Sequence, residues 1–69
     1  MKKARYEVVG IDTNLIKLEK FLTECEIDHY SVHDGSFVKL YVGKIGFING
    51  ILFLTKFKPS ERKWIVNRI

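Results

Sequence analysis

"GKIGFINGILFLTKFK", residues 43–58, is the stretch whose reading decides the fold. Read as a helix, it carries Gly46, Asn49 and Gly50 among several isoleucines, and each interior glycine costs about 1 kcal/mol relative to alanine. Read as two strands, it places Asn49-Gly50 between apolar runs, the strongest short-range hairpin signal. The hairpin is the expectation, and a second helix over residues 44–57 is the alternative.

The segments upstream are clearer. "IDHYSV" (27–32) and "SFVKLYV" (36–42) alternate with a period of two around "HDG". A three-residue loop of His33, Asp34 and Gly35 pairs Val32 with Ser36 and Tyr30 with Val38. That register gathers Tyr30, Val32, Val38, Leu40 and Val42 on one face and predicts a left-handed Gly35. Further upstream, "RYEVVG" (5–10) reads as a strand and Asp12 as a helix N-cap. In "TNLIKLEKFLTECE" (13–26), Leu15, Leu18, Phe21, Leu22 and Cys25 form an amphipathic stripe, leaving Lys17, Lys20 and Glu24 wet. Downstream, "KPSE" (58–61) turns the chain and "RKWIVNRI" (62–69) closes as a strand, a short helix capped by Ser60 being the competing reading.

The fold class is therefore α+β: one helix in the N-terminal half on an antiparallel sheet, in the order β-α-β-β-β-β. If residues 44–57 are helical, the order becomes β-α-β-β-α-β, a ferredoxin-like topology. Sixty-nine residues suit a single compact domain with one modest core.

The single cysteine rules out an intramolecular disulfide and fits a reduced, cytoplasmic compartment. "MKKAR" resembles the lead of a signal peptide, but no long apolar segment follows. The longest unbroken apolar run, "ILFL", is too short to span a bilayer, so no membrane role is expected. A net charge of +4 and a pI near 9.4 are spread along the chain and suit nucleic acid or an acidic protein patch. Eight Ile and nine Lys against one Ala and one Pro indicate an AT-rich gene, as in a low-GC bacterium or its phage; the location would then be the host cytoplasm.

Chemistry-bearing motifs are sparse. Cys25, His29 and His33 recur at four-residue steps, but the expected register sends His29 away from the helix-covered face and Cys25 under the sheet. Three diverging side chains make a poor tetrahedral metal site, and no catalytic Cys-His pair forms. "VGKIG" lacks the first glycine and the Ser/Thr of a phosphate loop. "DGSFVKLYV" misses the spacing of an RNA-recognition strand, though Phe37 and Tyr41 with Lys39 between them retain a stacking arrangement. Glu19, Glu24 and Glu26 read as solvated helix charges. The expectation is no catalytic residue, metal, cofactor or small-molecule substrate.

What remains is a surface. A lone helix covers one face of the sheet, and the other carries Phe37, Lys39 and Tyr41, continuing through Ile45, Phe47, Leu52 and Leu54 with Lys56 and Lys58 as a basic rim. Trp64 or Ile65 extends it, depending on the register of the last strand. Apolar surface of this extent marks an interface, and aromatics beside basic groups are what interfaces enrich. The expected partner-binding residues are Phe37, Lys39, Tyr41, Phe47, Leu52, Leu54, Lys56 and Lys58. The function expected is a small non-enzymatic regulatory or inhibitory protein that binds a larger protein, or a homodimer that buries the same face. The alternative is a small basic nucleic-acid-binding module.

Overall fold

The computed structural model describes residues 3–69; Met1 and Lys2, part of the basic lead, lie outside the described residues. The chain runs through β1 (Tyr6–Ile11), α1 (Asp12–Glu24), β2 (His29–Asp34), β3 (Phe37–Val42), α2 (Phe47–Lys56), a 3-10 turn (Pro59–Glu61) and β4 (Ile65–Arg68). The α+β class holds. The strands form one antiparallel sheet in the order β2-β3-β1-β4, so each helix carries the chain across a strand lying between the two it joins.

Alternation sends Val8 of β1 and Val38, Leu40 and Val42 of β3 to one face, where they meet Leu15, Leu18, Phe21 and Leu22 of α1. Ile27 and Phe57 complete the core. Helix α1 begins one residue earlier than a capping Asp12 requires: Ile11 is the N-cap, and Asp12 lies in the first turn, where its carboxylate faces the positive end of the helix. The helix ends in a Schellman motif. Ile27 N–H donates to Leu22 O (2.9 Å) and Glu26 N–H to Thr23 O (3.1 Å), with Glu26 left-handed at φ 55°. Leu22 and Ile27 are both buried, supplying the apolar contact that accompanies this motif.

Residues 47–56 are a helix, so the order is β-α-β-β-α-β and the Asn49-Gly50 hairpin does not form. Packing decides this. Phe53 and Phe57, four residues apart, sit together (ring centroids 5.2 Å) against Phe21 (6.1 and 5.5 Å) and Trp64 (6.0 and 6.1 Å). In a strand, residues four apart share a face but lie about 13 Å from each other, too far for ring contact, whereas one helical turn brings them side by side. Tertiary contacts here outweigh intrinsic propensity.

The β2–β3 hairpin also departs from the expected register. Asp34 pairs with Phe37, so Gly35-Ser36 is a two-residue turn, and Tyr30 faces Tyr41 rather than Val38. Gly35 alone in the turn has positive φ (65°), the arrangement of type II′ turns, whose twist suits a hairpin. Grouping every apolar residue on the covered face fails because β2 is an edge strand left exposed beyond its first residue. Its helix-side positions, Ser31 and His33, are exposed, while Tyr30 and Val32 turn to the opposite face.

Candidate interaction surfaces

Both helices lie on one side of the sheet: α1 through the core, α2 through its aromatic contacts with Phe21 and Trp64. Among the described residues no element covers the other side. The strand pairings arrange it in three rows. Tyr30, Tyr41, Glu7 and Asn67 cross the sheet at one end; Val32, Lys39, Val9 and Ile65 cross the middle; Asp34, Phe37 and Ile11 form the third. Phe37 and Ile65 are 54% and 66% exposed, and Ile11, Tyr30 and Val32 are also exposed. The result is a face of apolar and aromatic side chains around a central Lys39, with Glu7 and Asn67 at one end and Asp34 at the other.

The first row is tied together. The rings of Tyr30 and Tyr41 stack at 4.9 Å, and Asn67 Nδ2 donates to Glu7 Oε1 at 3.4 Å. A hydrogen bond from the Tyr41 phenol to the Glu7 carboxylate holds its pKa above the usual tyrosine range, with partial desolvation and the charge of Glu7 acting in the same direction. Across the three rows, Lys39 stands against two carboxylates, Glu7 and Asp34. The face is aromatic and apolar, not basic.

Of the expected partner-binding residues, Phe37, Lys39 and Tyr41 are on this open face. Phe47, Leu52 and Leu54 are not: they belong to α2, on the opposite side of the sheet. The basic rim goes with them. Lys56 Nζ lies 3.9 Å from a Glu24 carboxylate oxygen and 5.6 Å from the Phe21 ring centroid, and Lys58 is exposed just before the 3-10 turn. One continuous surface thus becomes two. Of the two candidates in the last strand, Ile65 joins the open face. Trp64 packs against the core on the helix side, donating from Nε1 to Asn14 O at 3.1 Å. Tyr30, Val32 and Ile11 were missed as face residues, and the Gly35-Ser36 turn signal would have placed the first two; alternation along β1 sets Val9 opposite Val8, on this same face.

Helix α2 is the less usual surface. It has no buried residue. At about 100° per residue, Leu54, Phe47, Ile51, Ile48 and Leu52 share an arc of roughly 160°, with Phe47 84%, Ile48 72% and Leu54 59% exposed. Beneath α2 an apolar cleft of about 210 Å³ opens between Tyr6, Leu18, Leu22, Val42 and Phe53. That is below the usual size of a small-molecule site, roughly 300–1,000 Å³, and no set of polar groups converges on it.

The Cys25-His29-His33 series does not converge either. Cys25 is half-buried against the core, and His33 is exposed on β2. His29 faces the helix side, contrary to the expected register, and donates from Nδ1 to Ile27 O at 2.7 Å, with Nε2 3.4 Å from Thr23 Oγ1. It ties the start of β2 to the end of α1. Among the described residues no group of three or more His, Cys, Asp or Glu side chains is placed to hold a metal ion. No helix among them is long and apolar enough to cross a membrane.

The architecture defines a class: a small α+β module with an uncovered sheet on one side and an apolar helix on the other. No family model, no curated protein and no solved structure matches the chain.

Proposed function

We propose that this chain is a non-enzymatic protein-binding module that regulates or inhibits a larger protein by covering part of it with the open sheet face. The observation that carries the reading is the apolar set on that face, with Ile11, Val32, Phe37 and Ile65 exposed and Val9 half-exposed, spread across all four strands around Lys39. Exposed aliphatic and aromatic side chains beside a polar, tyrosine-bearing margin are what protein interfaces enrich. Burying a fully exposed side chain of these types is worth about 1.5–3 kcal/mol, so half-exposed residues across the face supply several kcal/mol before the costs of association. Nucleic acid is disfavoured by charge: the face has one lysine against two carboxylates, and the lysines expected to rim it lie on the other side.

The test is affinity capture from a bacterial lysate with the wild-type chain and a Phe37→Asp/Ile65→Asp variant, both checked for folding by circular dichroism. A specific protein band lost in the variant supports the reading. Equal capture by both, or loss of all binding on nuclease treatment, overturns it. Sedimentation of the purified chain tests self-association: a dimer dispersed by the same variant assigns the face to a second copy instead.

A further inference from the structure

We propose that the outward face of α2 is a second docking surface, independent of the sheet face, and that its occupant is an acidic amphipathic helix of a partner protein. The apolar arc Phe47, Ile48, Ile51, Leu52 and Leu54 leaves the equivalent of about three whole side chains in solvent on a helix about 15 Å long. That inverts the ordinary arrangement, in which the apolar stripe faces the core. The inward side is held by Phe53, by Lys56 reaching Phe21 and Glu24, and by Phe57 just beyond the helix end, none of which belongs to the arc.

Charge selects the occupant. Between Asp34 and Glu61 the sequence contains no carboxylate, while Lys44 and Lys58 flank the helix at its two ends; Lys56, also at the second end, lies 3.9 Å from the Glu24 carboxylate of α1. The first turn of α2 has neither an acidic side chain nor a side-chain cap, so its positive end adds to Lys44. A second copy packed antiparallel on this face would set Lys44 of one chain against Lys56 and Lys58 of the other, which like-charge repulsion opposes. A partner helix with apolar residues along one side and glutamates or aspartates at its margins meets both requirements, as in helix-in-groove recognition. With the sheet face on the opposite side of the molecule, the chain can hold two partners at once.

The test uses two synthetic amphipathic peptides of about sixteen residues, long enough to hold a helix, alike in their leucine face but carrying glutamate or lysine on the other. Fluorescence anisotropy should show the glutamate peptide binding about tenfold tighter, as expected for a few exposed ion pairs. Amide shifts in the NMR spectrum should be centred on α2 and its flanking lysines, residues 44–58. Phe47→Asp/Ile51→Asp, at exposed positions, should lose the binding; Phe37→Asp on the sheet should leave it unchanged. Lys44→Glu/Lys58→Glu, sparing Lys56 over Phe21, should reverse the preference. Equal affinity for the two peptides, or shifts centred on the sheet, overturns the proposal. So does sedimentation with anionic vesicles in place of peptide binding, which would assign the arc to a lipid surface, or a dimer dispersed by Phe47→Asp/Ile51→Asp.

Discussion

Replacing Glu26 with glycine should stabilise the fold, and the size of the effect follows from the end of α1. Glu26 is the left-handed residue of the Schellman motif, at φ 55°, the position most helices give to glycine. A residue with a Cβ pays about 1–2 kcal/mol to be there. Glycine pays no such strain but gives up about 0.5–1 kcal/mol of additional unfolded-state freedom. The difference is a net gain of about 0.5–1 kcal/mol, with the Ile27–Leu22 and Glu26–Thr23 backbone bonds retained. For a domain of this size that raises Tm by roughly 3–6 °C. The assay is thermal and urea unfolding followed by circular dichroism, with Glu26→Ala as the control. Alanine removes the same carboxylate and keeps the strain, so it should fall within about 0.5 kcal/mol of the wild type. The urea slope should be unchanged in both. If glycine and alanine behave alike, the left-handed backbone is not where the energy lies. If glycine destabilises, the motif is held by side-chain contacts of Glu26 instead.

Gly50→Ala should also stabilise, by about 1 kcal/mol, because a Cβ there meets nothing within 4 Å and alanine is the better helix former; urea unfolding reads it. Gly10→Ala should do the reverse, costing about 1–3 kcal/mol in the same measurement, since its Cβ would lie 3.0 Å from Trp64 Cβ. Phe57→Ala should cost about 3–5 kcal/mol, because Phe57 is buried among Phe21, Phe53 and Trp64, and the near-ultraviolet dichroism of that cluster should fall with it. Tyr41 holds its proton more tightly folded than unfolded. The stability this contributes is present below the unfolded tyrosine pKa and is lost as pH rises through the higher folded value. Glu7→Gln should lower the Tyr41 midpoint in a phenolate absorbance titration, and an unmoved midpoint would refute the role of that carboxylate.

Helix α1 was legible because its stripe of Leu15, Leu18, Phe21 and Leu22 has a single period and a single thing to pack on, and all four are buried. The placement of Phe37, Lys39 and Tyr41 on the uncovered face followed from alternation along β3, where Val38, Leu40 and Val42 can only point inward. The rest depended on neighbours that alternation does not reveal. Tyr30 and Val32 are apolar but belong to an edge strand, so the rule that apolar residues face the core gave the wrong register. Asn49-Gly50 carries a strong local turn preference, which contact among Phe21, Phe53, Phe57 and Trp64 overrides; three of those partners lie outside the helix itself. Once residues 47–56 became helical, Lys56 and Lys58 left the sheet face, and the expected continuous patch divided in two.

The two helices are anchored very unequally: α1 seals four side chains into the core, whereas α2 seals none. Mutational tolerance should be divided the same way. Drift at Leu15 or Leu22 is paid in foldedness, but drift at Phe47, Ile51 or Leu54 changes only what the molecule presents to others. Under the proposed docking role, a lineage of such chains would trade one binding specificity for another while its scaffold stays constant.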